Sequence, residues 1–113
     1  NVMVDQDALH FIDFDDGGFG FRLFEIATAL LKHCFLPNYE ALKSSLIDGY
    51  SALRPLDICH LELFLALRAT TYVGWNITRM LEDGGEARNA RFINTTKRLA
   101  IAYLHGATDP CTN

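Results

Sequence analysis

Residues 9–18 read Leu-His-Phe-Ile-Asp-Phe-Asp-Asp-Gly-Gly, an apolar run that leads through acidic side chains into paired glycines. This pattern predicts a buried strand that holds a carboxylate in place, followed by a turn that leaves room for a ligand. Carboxylate oxygens are preferred ligands of Mg²⁺, with phosphate oxygens and water often completing its shell. The stretch therefore predicts one end of a site for a metal ion and phosphate.

A second short strand precedes this stretch. Residues 2–4 are Val-Met-Val, and four polar or small residues separate them from the apolar run at residues 9–14. Two such runs at this spacing predict an antiparallel β-hairpin. A hairpin alone is marginally stable, so we expect it to pack against a larger body. Three glycines between residues 17 and 20 predict a loop that extends to residue 21.

The remainder of the chain is predicted to be helical, because its apolar residues recur at helical spacing. Asn38 stands where an N-cap would, after Pro37 has ended the first helix. The third helix is the longest and most apolar, which predicts a central position. Gly74 within it would permit a close helix crossing or a kink. The predicted helices cover residues 22–36, 38–53, 58–80 and 86–106.

The predicted fold is therefore mainly α, with a short N-terminal β-hairpin followed by about four helices. With 113 residues, the chain suffices for one domain with one core. Two parts are distinguished within residues 1–113: the hairpin and loop at 1–21, and a helical subdomain at 22–106.

Composition excludes several classes of function. The net charge is −4 and no basic stripe is present, which argues against a nucleic-acid partner. No apolar run reaches the roughly 20 residues of a membrane helix, so we expect no membrane partner. The three cysteines, at positions 34, 59 and 111, are odd in number and irregularly spaced. They predict buried free thiols and a cytoplasmic location.

Two segments together resemble the aminoglycoside phosphotransferase family. They are Phe-Ile-Asp-Phe-Asp-Asp at residues 11–16 and Gly-Phe-Arg-Leu-Phe-Glu-Ile-Ala-Thr-Ala-Leu at residues 20–30. The family has a protein-kinase-like fold and includes choline kinases and homoserine kinases. Its members carry His-x-Asp, then four further residues and an Asn; a hairpin then leads into Ile-Asp-Phe or Ile-Asp-Trp. The likeness extends over essentially the whole chain, and its specific part is the first thirty or so residues.

The resemblance implies roles for three residues. Asn1 occupies the position of the motif's Asn, and Asp13 that of the acidic residue in Ile-Asp-Phe. Both would be Mg²⁺ ligands, and Asp13 would also bridge the ion to the β- and γ-phosphates of ATP. Asp15 would assist a second ion or orient Asp13. The implied cofactors are Mg²⁺ and ATP, and the implied partner is a small-molecule acceptor with a hydroxyl or amino group.

Two departures from the family pattern change what we expect of this chain. Glu25 stands where the family usually has an Asp that braces the catalytic loop. The family's catalytic Asp lies upstream of the position of Asn1, as does the nucleotide-binding lobe. The resemblance therefore implies the C-terminal lobe of an ATP-dependent phosphotransferase, inactive by itself. The negative net charge would suit a cationic acceptor.

Other interpretations of the acidic cluster remain open. Asp13 would also suit a simple capping role at the glycine turn, and Asp15 and Asp16 would suit solvated loop positions. A calcium-binding EF-hand loop that starts at Asp13 has Gly18 at its sixth position, as required. Its twelfth position is Phe24, where that loop needs Glu, and no helix precedes it.

The alternative function is that of a non-catalytic helical domain. Apolar surface around the hairpin and the third helix would be exposed, and such surface drives self-association. This interpretation predicts a homo-oligomer. Phe64, Tyr72 and Trp75 recur at helical spacing, which favours core positions over a substrate cage. The alternative left open is that some of them line the substrate pocket of the parent enzyme, because such pockets form between helices.

Overall fold

A computed structural model describes residues 1–15 and 17–106 and confirms the predicted fold class. An N-terminal two-stranded antiparallel hairpin is followed by four helices. The strands are β1 (Val2–Asp5) and β2 (Ala8–Phe11), and the helices are α1 (Arg22–Leu31), α2 (Tyr39–Leu53), α3 (Leu61–Ile77) and α4 (Gly85–Gly106).

The hairpin closes through a two-residue turn. Gln6 lies in that turn with a φ of 51°, the left-handed conformation that matches the twist of the flanking strands. The strands pair from Val2 opposite Phe11 inwards to the turn. β2 ends three residues earlier than predicted, because Asp13 has a φ of 68° and cannot continue a strand.

The prediction of a buried strand is wrong. Every residue of β1 and β2 is exposed, and no helix packs against either strand in the described part of the chain. The hairpin was expected to pack against a larger part of the protein, and the four helices do not provide that packing surface. An apolar run identifies a strand, but it does not reveal what covers that strand.

The core lies between α1 and α3. α1 buries Ile26, Ala27 and Leu30, and they cluster with Leu61 and Leu65 of α3. The predicted central position of α3 is thus confirmed, since it packs against both α1 and α4. The expectation of a close crossing at Gly74 is wrong, because a side chain there would meet no atom within 4 Å.

α1 ends at Leu31, five residues earlier than predicted. A turn follows, in which the amide of His33 donates to the carbonyl of Leu30 at 2.9 Å. The Cys34 thiol donates to the Leu31 carbonyl at 3.0 Å and satisfies one of the carbonyls left open at the helix end. Burial raises the pKa of this thiol above its ordinary value.

α2 lies at the periphery and contains no fully buried residue. Asn38 occupies the N-cap position as predicted, but its side chain makes no capping hydrogen bond. An ion pair between Lys43 and Glu62, 2.6 Å apart, links α2 to α3. Burial, with a further contribution from the charge of Glu62, raises the pKa of Tyr39 far above its ordinary value.

α3 is shorter than predicted at both ends. Before it, the carboxylate of Asp57 accepts a hydrogen bond from the amide of Cys59 at 2.9 Å, which forms a local turn instead of a helix. After it, the amide of Arg79 donates to the carbonyl of Asn76 at 2.9 Å as the chain leaves the helix.

The cysteine prediction requires a correction. Cys59 is disulfide-bonded, whereas Cys34 is a free thiol and Cys111 lies outside the described residues. Disulfides persist in oxidising compartments. Cysteine usage therefore no longer supports the predicted cytoplasmic location.

Candidate functional site

The hairpin brings two of the predicted site residues to the same end. The amide of Ile12 donates to the carbonyl of Asn1 at 3.0 Å, which extends the strand pairing by one step. Asn1 therefore lies across from Ile12, and Asp13 follows immediately. Both residues are exposed. This end of the hairpin, comprising Asn1, Asp13 and Asp15, is called the acidic end below.

The backbone of Asp13 is in the left-handed region, with a φ of 68°. Residues other than glycine rarely adopt this conformation, although Asp and Asn tolerate it best. Such strained positions are concentrated at active sites and ligand-binding segments. The conformation turns the chain out of β2 directly at the predicted metal ligand.

A tight turn follows Asp13. The amide of Gly17 donates to the carbonyl of Phe14 at 2.9 Å, and Asp15 lies within the turn. A Cβ at position 17 would be only 2.9 Å from that carbonyl oxygen, which explains the need for glycine. Asp16, named in the sequence as a loop carboxylate, lies outside the described residues.

The acidic end does not form a complete metal site by itself. Among residues 1–15 and 17–106, no three His, Cys, Asp or Glu side chains are grouped so that they would hold a metal ion. The donors available there are the carboxylates of Asp13 and Asp15 and the amide oxygen of Asn1. Oxygen donors of this type suit Mg²⁺, provided that phosphate or water supplies the remaining ligands.

A cavity of about 750 Å³ lies beyond the turn, and neither Asp13 nor Asp15 lines it. The glycine loop and the first turn of α1 line it, together with Arg54. The last residue of the loop and the first residue of α1 each contact another part of the chain. The Phe21 ring lies 5.6 Å from the ring of Phe64, and the Arg22 guanidinium donates to the carbonyl of Pro55 at 2.9 Å. Glu25 lies on the cavity wall and is exposed.

A second cavity, of about 450 Å³, lies between α1, α3 and α4. Its lining includes the cations Lys32, Arg88 and Arg91, none of which the sequence pattern distinguished. Trp75 also lines it and is 49% exposed, so its predicted core position is wrong. Tyr72 beside it is half-buried. These residues come from α3, from α4 and from the residue that follows α1, and no local spacing signals their proximity.

A buried polar cluster joins the end of α3 to the start of α4. The Asn76 amide group is fully buried and donates to the carbonyl of Gly85 at 3.0 Å. Its oxygen accepts a hydrogen bond from Nε of Arg88 at 2.6 Å. Arg88 also pairs with Glu82 at 2.9 Å. Sequence reasoning missed this cluster, because a lone Asn in a helix carries no pattern.

No helix within the described ranges combines the length and apolar character required to cross a membrane. No protein-family model, no curated protein and no solved structure matches the chain.

Proposed function

We propose that this chain is the C-terminal lobe of an ATP-dependent small-molecule phosphotransferase, a kinase that acts on a hydroxyl or amino group. One observation carries the proposal: an Asp in left-handed conformation lies two residues after a hairpin strand, next to Ile12, which pairs with Asn1, and a glycine turn follows it. This juxtaposition agrees with the order of residues in the motif that the sequence resembles.

The acidic end provides the electrostatic part of the chemistry. Phosphoryl transfer depends mainly on positioning and on neutralising the charge of the phosphate oxygens. Magnesium-bound ATP supplies the phosphoryl group and much of that neutralisation. Asn1 and Asp13 would hold the ion through their side-chain oxygens, and Asp15 would orient Asp13 or contact a second ion.

The glycine-loop cavity has a role in the same proposal. In the parent enzyme the catalytic Asp belongs to a segment that precedes Asn1, and Glu25 replaces the usual Asp that braces this segment. Glu25 lies on the wall of the 750 Å³ cavity and is exposed to it. In this proposal the catalytic segment would lie in this cavity, and Glu25 would brace it.

Metal binding at the acidic end tests this proposal. Mn²⁺ replaces Mg²⁺ in many phosphate sites and broadens NMR signals of nearby nuclei. With Mn²⁺ and millimolar ATP, we expect the amide signals of residues 12–15 to broaden in the ¹⁵N-labelled chain. Asp13→Ala should abolish this effect. Asp5→Ala is the matched control, because Asp5 lies at the opposite end of the same hairpin. Equal broadening in wild type and Asp13→Ala would refute the assignment.

The alternative function is a non-catalytic helical domain that self-associates. A specific observation favours it: the hairpin exposes large apolar side chains, with Phe11 at 67% and Phe14 at 73% exposure. The two strands pair only with each other in the described chain, so both outer edges are open to another strand. Mg²⁺-dependent nucleotide binding separates the two functions, because the alternative predicts none.

A further inference from the structure

The cavity between α1, α3 and α4 has no part in the phosphotransfer chemistry proposed above. Its volume of about 450 Å³ lies within the range of small-molecule sites, which form between the helices of bundles. The buried residues Leu31 and Ala69 provide apolar surface. Tyr72, Trp75 and Phe92 add aromatic surface to its lining.

Charge distinguishes this cavity from the rest of the molecule. Its lining includes three cations, Lys32, Arg88 and Arg91, and no acidic side chain. The chain as a whole has a net charge of −4, so the lining reverses the overall sign. Arg88 is already engaged by Asn76 and Glu82. Lys32 and Arg91 are exposed, and neither forms a salt bridge with another described residue.

The aromatic rings are held by further guanidinium groups. Arg79 lies 4.0 Å from the centre of the Trp75 ring, and Arg98 lies 3.8 Å from that of Phe35. Both rings line the cavity. A guanidinium on an aromatic ring is attracted to its negative face and restrains its orientation. These contacts therefore favour a preformed apolar surface and add positive potential around the cavity.

We propose that this cavity binds an amphipathic organic anion, with a flat apolar body and one carboxylate or phosphate group. The apolar body packs against Tyr72, Trp75 and Phe92, and the anionic group pairs with Lys32 and Arg91. The proposal does not rest on the phosphotransferase assignment. The negative net charge of the chain suggested a cationic ligand, whereas the positively charged lining of this cavity favours an anionic one.

Three probes of the same size and different charge test the proposal. They are 1-naphthylacetate, its neutral amide 1-naphthylacetamide, and the cation 2-(1-naphthyl)ethylammonium. Trp75 is the single tryptophan of the chain, so its indole N–H gives one NMR signal located at the cavity. We expect the carboxylate to shift this signal with a Kd at least about tenfold lower than that of the amide, and the cation to bind most weakly.

Amino-acid substitutions test whether Lys32 and Arg91 cause the preference for the anionic probe. Lys32→Gln combined with Arg91→Gln should raise the Kd of the carboxylate to that of the amide and leave the amide's Kd unchanged. Lys97→Gln is the matched control, because Lys97 is exposed on α4 and does not line the cavity. Equal affinity for the three probes would overturn the proposal. Shifts confined to the exposed hairpin, with the Trp75 signal unmoved, would also overturn it.

Discussion

At the scale of single residues, Asn76 is the side chain on which the junction between α3 and α4 depends most. Its side-chain nitrogen donates a hydrogen bond to the Gly85 carbonyl, and its side-chain oxygen accepts one from Arg88. Position 85 has no room for a side chain, since a Cβ there would clash with the carbonyl oxygens of Arg79 and Met80. The backbone therefore passes close to the end of α3, and the amide of Asn76 fills the remaining polar space.

We expect Asn76→Ala to lower the free energy of unfolding by about 2–3 kcal/mol. The substitution leaves the Gly85 carbonyl and the partly buried Arg88 guanidinium without this partner, and an unsatisfied buried group costs about 1–3 kcal/mol. Urea denaturation followed by circular dichroism measures the change. Asn94→Ala, at an exposed position of α4, should change stability by less than about 0.5 kcal/mol. Equal effects of the two substitutions would contradict this account.

Asp13 shows what residue-level reasoning can and cannot provide. The glycine pattern was sufficient to predict a turn beyond the acidic residues, and the structure has a turn that closes at Gly17. It was not sufficient to predict the left-handed backbone of Asp13 itself, because Asp also adopts ordinary strand conformations. The early end of β2 follows from that one dihedral angle.

At the scale of secondary-structure elements, the helices differ in how much they contribute to the core. Among the described residues, α1 and α3 supply all of the buried apolar side chains, whereas α2 supplies none. Helical spacing predicted that all four helices exist and that α3 is central. It did not predict where α1 ends, because the turn after Leu31 depends on the side chain of Cys34 bonding back to the helix.

A matched pair on α3 tests this distribution. Leu65 is 1% exposed and Leu67, two residues later, is 48% exposed. We expect Leu65→Ala to lower the free energy of unfolding by about 2–5 kcal/mol, since it removes buried methyl groups and leaves a cavity. Leu67→Ala should cost less than about 1 kcal/mol, because that side chain is half in solvent already. Urea denaturation of both variants makes the comparison, and similar losses would show that α3 is not oriented as described.

The cavity between α1, α3 and α4 explains why a site assembled from several elements escapes sequence reasoning. Lys32 follows α1, and Arg91 lies on α4, about 60 positions later in the chain. Each is an ordinary exposed cation when the sequence is considered alone. Only the packing of α3 between the other two helices places both on one cavity. The acidic end, by contrast, is local in sequence and was therefore accessible to prediction.

At the scale of the whole molecule, the apolar surface of the hairpin is the most consequential feature. The hairpin extends from the helices with all its strand residues exposed. In the proposed phosphotransferase, the preceding part of the enzyme would cover this surface. The isolated chain has only other copies of itself for that purpose.

We expect the isolated 113-residue chain to form dimers or larger oligomers, with a mass that is a multiple of 12.7 kDa. Exposed apolar side chains and open strand edges both favour association. Size-exclusion chromatography with light scattering measures the mass. Phe11→Lys should shift the population towards monomer, whereas Leu104→Lys, at an exposed position of α4, should not. A folded monomer of the wild-type chain at high micromolar concentration would exclude this association.

The uneven packing of α4 also determines which part of this helix unfolds locally first. This helix has 22 residues, yet its one fully buried residue is Gly85, at its first position. Its beginning is held by the cluster around Asn76, and its later turns are only partly covered. Protection of its amides against hydrogen exchange should therefore decrease along the helix, from the turn after Gly85 towards Gly106. Thermal fluctuations would then uncover the far end of the helix while the cavity near Arg91 keeps its shape.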